Sequence, residues 1–177
     1  MRDWQIGVDL GGTTFSVACI DTSGNIKRQK DYQTHAYQGP QTVLERIAAA
    51  IRDLLAELDL APTDVRGIGI GMPGLHDTEQ GGCLYAANLK WHDVPVKEPF
   101  EDWFGVPVTI ENDVRCAALG ERHFGAAQDV DDMVLITVGT GVGGAVILGG
   151  RLQRGGSGFA GEVGHQTIDP DGRLCAC

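Results

Sequence analysis

The sequence predicts an α/β fold built in layers, and three observations predict it. Residues 4–34 read as three consecutive short strands, residues 41–60 as one long amphipathic helix, and residues 65–70 as an apolar strand reached after that helix. A β-meander, a crossover helix and a further strand lay a helix across a mixed sheet, which is the ribonuclease-H-like arrangement.

Each element has its own warrant. "WQIGVDL" (4–10) is apolar and β-branched, and "GG" breaks it. "TTFSVACID" (13–21) resumes the strand pattern, "SGN" turns, and "IKRQKDYQT" (26–34) continues it. The basic cluster "KRQK" at 27–30 then reads as the solvated end of a strand. After "QGP", the segment 41–60 sets Val43, Leu44, Ile47, Ala50, Ile51, Leu54, Leu55 and Leu58 on one stripe of a helix. "VRGIGIGMPG" gives a buried strand, Val65 to Ile70, that runs into a Gly-Pro turn. Residues 72–105 read as loop-rich, with a short helix around "VKEPFEDWFG". "VPVTIE" is a strand, and "NDVRCAALGERHFG" a helix opening at Asn112–Asp113. "MVLITV" and "GGAVILGG" are two further strands joined by a glycine-rich turn. Strand building restarts after residue 112, so a first lobe is expected over 1–112 and the beginning of a second over 113–177.

Charge narrows the partners. With 14 basic against 24 acidic residues the net charge is -10, which repels phosphate backbones and anionic lipid headgroups. Nucleic acid and membrane are therefore not expected partners. The opening residues lack the apolar core of a signal peptide, and no apolar run reaches the length of a membrane span. The five cysteines, at 19, 83, 116, 175 and 177, lack the spacing of a disulfide scaffold, which points to a reducing cytoplasm.

Two glycine turns carry the first chemistry. "VDLGGTT" (8–14) ends a strand on Asp9, turns through Gly11 and Gly12, and starts the next strand with Thr13 and Thr14. It reads either as a hairpin whose glycines supply positive φ or as a cradle for phosphates. In the second reading backbone N–H groups and threonine hydroxyls meet phosphoryl oxygens, and Asp9 holds a hydrated Mg²⁺. "ITVGTGVGGAVIL" (136–148) contains a literal G-x-G-x-x-G at Gly139, Gly141 and Gly144. A dinucleotide fold needs a helix after that motif, whereas "AVIL" is a strand. What remains is a second strand-turn-strand phosphate loop, around Gly139, Thr140 and Gly141. Asp113 then stands in the first turn of a helix just past a strand end. It serves there either as a cap or as a general base, since α/β folds bind ligands at strand ends and the helix N-terminus attracts a carboxylate.

These segments, with "GIGIGMPG", "AANLKWHDVPV", "TVGTGVGGAVILGGRLQRGGSGFAGEVGH" and the closing "CAC", resemble in order the ROK family of repressors, open reading frames and kinases, which includes bacterial glucokinases. The resemblance covers essentially the whole chain. It implies an actin-like, ribonuclease-H-like sugar kinase of two lobes, usually a dimer or tetramer, with a homodimer expected here. It also implies ATP and Mg²⁺ as cofactors, a hexose as substrate with glucose first, and Asp113 as the catalytic base. Asn88, Asn112, Glu162 and His165 match the family's sugar-binding positions. The 9–13 and 139–141 turns match those that hold the ATP phosphates. The family's structural zinc motif is matched by His165, Cys175 and Cys177, a set one ligand short of the four a structural zinc takes. The chain thus reads as ending inside that motif, with Cys19, Cys83 and Cys116 buried elsewhere and "MVLITV" and "GGAVIL" left with exposed edges that invite dimerisation. Two further classes stay open beside the kinase. One is a sugar-binding remnant without catalysis. The other is a ROK-type sugar-responsive regulator, for which the start of the phosphate turn leaves no preceding helix-turn-helix.

Overall fold

A computed structural model describes residues 3–139 and 141–174, so Thr140, Cys175 and Cys177 lie outside the described residues. The chain divides into two units, Met1–Asp113 and Val114–Cys177.

In the first unit β1 (Trp4–Leu10), β2 (Thr14–Asp21) and β3 (Ile26–Gln33) form the expected meander. Helix α1 (Pro40–Glu57) follows, and β4 (Val65–Met72) comes next. Three short strands, β5 (Leu75–Asp77), β6 (Gly82–Ala86) and β7 (Trp91–Pro95), precede α2 (Lys97–Phe104) and β8 (Val108–Asn112). The main sheet has the order β3-β2-β1-β4-β8, antiparallel through the meander and parallel from β1 to β4 to β8.

The sequence dictates most of this. Pro40 opens α1, where its missing N–H costs no hydrogen bond. Val43, Leu44, Ile47, Ala48, Ala50, Ile51, Leu54 and Leu55 are its buried stripe. They pack into one core with the inward residues of the sheet, among them Ile6, Val8, Leu10, Phe15, Val17, Ile68 and Ile70. The helix ends at Glu57, three residues short of the expected 41–60 segment. Leu58 caps it and is only partly buried, and Asp59 turns into the left-handed region at φ 56°. The "KRQK" run lies inside β3, an edge strand whose residues are mostly exposed, rather than at a strand end.

The reading of 72–105 as loop-rich needs correction. Residues 75–95 form a second, antiparallel sheet, β5-β6-β7. Strands of three to five residues are too short to display a period, although Cys83, Ala86, Trp91 and Val94 are its buried side. Gly74, at φ 102°, lets the end of β4 pass against this sheet, where a Cβ would collide with the Tyr85 carbonyl.

The second unit carries α3, whose full span is Asp113–Phe124, and the sheet β9 (Met133–Val138), β10 (Val142–Leu148), β11 (Arg151–Gln153) in the order β11-β10-β9. Strand β11 was not expected. The "GG" read as the end of β10 is a hairpin turn, with Gly149 and Gly150 at φ 55° and 71°. That hairpin also makes β10 a central strand instead of an edge, and leaves β9 paired with β10 alone among the described residues. Ala118, Ala145 and Ile147 form a small core, with Val114, Leu119, Met133, Leu135 and Leu152 against it. Cys19 and Cys83 are buried as expected, but Cys116, on α3, is only half-buried. No described helix is long and apolar enough to cross a membrane.

Candidate functional site

Strand register brings together the candidate residues of the first unit. Asp9 on β1 pairs with Gly71 on β4, which pairs with Glu111 on β8. One step further along, Met72 pairs with Asn112. The three parallel strands therefore end together. Their carboxyl ends carry the Gly11–Gly12 turn, the Pro73–Gly74 turn, and Asn112 leading into Asp113. Parallel strands are bound to gather such turns at one edge, which is where α/β folds place ligands.

The first glycine turn is fixed from two sides. The Gly11 N–H donates to the Thr14 carbonyl at 2.9 Å, closing the turn on itself. Thr34, fully buried just after β3, donates its hydroxyl to the Gly11 carbonyl at 2.8 Å, and its N–H to the Thr13 carbonyl at 2.8 Å. Gly12 lies against the turn between β6 and β7: a Cβ there would stand 2.9 Å from the Asn88 carbonyl oxygen and 3.2 Å from its Cβ. The glycines are thus required by closeness. Neither Gly11 nor Gly12 has positive φ, so the reading of this turn as a positive-φ hairpin is corrected. Thr13 and Thr14 are exposed beside Gly12.

Electrostatics joins Asp9 to Asp113. The Asp9 carboxyl is held above the usual aspartate value of 3.8, first by the protein packed around its base and second by the negative charge of Asp113. Asp113 is the first residue of α3, and Asn112 before it is the last of β8 rather than the start of the helix. Both Asn112 and Glu111 are buried, and the Asn112 N–H donates to Glu111 Oε1 at 3.0 Å. Asn88 is exposed in its turn. Of the expected residues, the structure therefore brings together Asp9, Gly11, Gly12, Asn88, Asn112 and Asp113.

The remaining residues belong to the second unit. Gly139 and Gly141 face open space, with no described atom within 4 Å of where a Cβ would stand. The Gly139 N–H donates to the Gly141 carbonyl at 2.9 Å. Glu162 leads into a short 3₁₀ turn, Val163–His165, which brings Glu162 Oε2 to 3.9 Å from His165 Nε2. Among the described residues no group of three or more His, Cys, Asp or Glu side chains is arranged to hold a metal ion, and two of the three expected zinc ligands, Cys175 and Cys177, lie outside them.

Thr34 is the site residue that sequence reasoning missed. Its partner Gly11 is 23 positions away in the chain, so only a hydroxyl at a strand end hinted at it.

Known proteins share this layout. The chain is 38% identical over 98% of its length to a glucokinase from Halalkalibacterium halodurans, covering 53% of that protein. It is 36% identical over 97% of its length to a putative xylose repressor from Caldicellulosiruptor sp. (strain Rt8B.4), covering 43% of it. Its fold matches a crystal structure of a ROK family glucokinase from Streptomyces griseus in complex with glucose and AMPPNP, at TM-score 0.87 and 38% identity, over 98% of this chain and 54% of that one. The chain so spans about half the length of the relatives it matches, and its fold is the actin-like ATPase and sugar-kinase fold of those structures. The ROK family model matches residues 5–177, and the chain belongs to the ROK family.

Proposed function

We propose that this chain serves ATP-dependent phosphorylation of a hexose, with glucose the first substrate to test. The observation that carries the reading is the common end of β1, β4 and β8, where a glycine turn, two asparagines and a helix-start aspartate converge. Asp113 takes the proton of the attacking sugar hydroxyl. Asn88, Asn112, Glu162 and His165 are the residues proposed to hydrogen-bond the sugar.

The turns fit phosphate with a division of labour. The N–H groups of Gly11 and Gly139 close their own turns, which leaves those of Gly12 and Thr13, with the exposed threonine hydroxyls, as donors to phosphoryl oxygens. The open space beside Gly139 and Gly141 suits a second phosphate. Asp9, with a solvent-reaching carboxylate, would hold the Mg²⁺ of the nucleotide, and such an ion supplies charge neutralisation in phosphoryl transfer. A structural zinc on His165, Cys175 and Cys177, a homodimer and a cytoplasmic setting belong to the same proposal; metal analysis and sedimentation test the first two.

The decisive experiment pairs a coupled phosphorylation assay with calorimetric hexose binding. Asp113→Asn should lower turnover about a hundredfold or more while hexose affinity is kept. Unchanged turnover returns Asp113 to a capping role. A second reading, a sugar-responsive regulator, is supported by the xylose-repressor relative. It gains if hexose binds and no phosphorylation accompanies it.

A further inference from the structure

The loop that ends in Glu162 and His165 has little secondary structure of its own, yet it is held in a specific place. On one side it rests on β10. A Cβ at Gly144 would run into the Gly161 carbonyl, and one at Gly164 would run into the Val142 carbonyl, so glycine at both positions lets the two backbones touch. On the other side stands Arg115, on α3, with only 6% of its surface exposed. One terminal nitrogen, Nη2, donates to the Gly158 carbonyl at 2.6 Å and to the Ala160 carbonyl at 3.1 Å. These two carbonyls lie four and two residues before Glu162.

A buried guanidinium is a costly way to hold a loop unless its orientation matters. Arginine offers several donors in a rigid planar fork, and each bond from a charged donor to a carbonyl is about twice as strong as a neutral one. Ordering a short glycine-rich segment such as "GGSGFAG" otherwise costs backbone entropy at every residue. From these contacts we infer that Arg115 is a positioning residue, fixing residues 158–162 so that Glu162 and His165 are presented to the sugar. It touches no reacting atom itself. The role in sugar binding rests on the hexose reading above, whereas the anchoring of the loop does not.

The test separates the two. Hydrogen exchange is followed by mass spectrometry in Arg115→Ala and in Arg115→Met, which keeps the apolar stem and guards against simple misfolding. Calorimetric glucose binding is measured beside it. Both variants should exchange about tenfold or more faster at 158–162 while the β10 amides stay protected, reflecting the loss of charge-assisted bonds worth on that order. Glucose affinity should fall about tenfold to a hundredfold in parallel, and Arg115→Lys, which keeps one charged donor, should recover part of both. Unaltered exchange at 158–162 overturns the anchoring. A loosened loop with unchanged glucose affinity overturns the positioning. If the parent chain binds no glucose, the hexose reading falls, and the exchange result alone then decides the anchoring.

Discussion

Both units contain the same device, a strand, a glycine turn, and two further strands in antiparallel sequence, yet they finish it differently. In the first, the leading strand β1 is paired on both sides, by β2 and by β4, and α1 and α2 close a large core over it. In the second, the leading strand β9 pairs only with β10 among the described residues, and the core reduces to Ala118, Ala145 and Ile147. Val134, Ile136 and Val138 on the outward side of β9 are exposed, the last of them 82%. The same local pattern therefore yields very different burial, because a meander gains its stability from what covers it rather than from its own hydrogen bonds.

The largest expected effects break this comparison through the cores. Leu54→Ala removes a fully buried side chain from the first unit and should destabilise it by about 2–5 kcal/mol. Ile147→Ala empties a site whose larger neighbours, Val114, Leu119, Met133, Leu135 and Leu152, are only partly buried, so the surroundings can relax into it and the cost should lie near about 2 kcal/mol. All three tryptophans, Trp4, Trp91 and Trp103, stand in the first unit, so their fluorescence follows that unit alone in a denaturant titration. Hydrogen exchange in β9–β11 follows the other, and should be at least about tenfold faster than in β1 and β4. Equal protection in the two sheets would show that burial does not set their stability.

Next in size are substitutions at the first glycine turn. Gly12→Val must push its side chain into the Asn88 backbone, and should cost about 1–3 kcal/mol of stability as well as hexose affinity. The matching change in the second unit, Gly141→Val, meets no described protein atom, so it should leave stability alone and weaken only nucleotide binding. Similar melting losses at both positions would remove that contrast. Thr34→Val keeps the shape but deletes the hydroxyl that Gly11 accepts from, for a loss of about 1 kcal/mol. Nucleotide affinity should weaken with it, as the turn loosens.

What the sequence revealed tracks the length of each periodic segment. The stripe of α1 and the apolar strands β1, β2 and β4 repeat often enough to be read, since burial selects every third or fourth residue in one case and every second in the other. Strands β5, β6 and β7 do not. Their buried residues, such as Cys83 and Trp91, are decided by a neighbouring sheet that the local sequence does not describe. The site divides in the same way. Asp9 and the Gly11–Gly12 turn were legible as a turn at a strand end, open between a hairpin and a phosphate cradle until the resemblance favoured the second. Asn88 was legible only through the family resemblance, for on its own it is an exposed turn residue. Thr34 and Arg115 were legible by neither route, since each acts through a carbonyl far away in the chain.

The smallest effect tests the electrostatic link between Asp9 and Asp113. Burial and the Asp113 charge both raise the Asp9 carboxyl above 3.8, so the folded chain holds that proton more tightly than the unfolded chain does. The sign follows from this. Ionising Asp9 disfavours the fold, so its stabilising share is complete below 3.8 and is lost as pH rises through the folded value. At neutral pH the cost is fully present, and Asp9→Asn should stabilise the chain by about 0.5 kcal/mol or less, because solvent reaches the side chain and screens it. Asp113→Asn removes the lesser of the two causes. The Asp9 midpoint, followed by the carbon resonance of its carboxyl, should then move down partway and remain above 3.8, since the packing around Asp9 is untouched. A midpoint that did not move would mean that the two carboxylates do not feel one another, and that the common strand end is a packing feature without a shared field. A fall all the way to 3.8 would assign the whole shift to Asp113 and leave burial with no part in it.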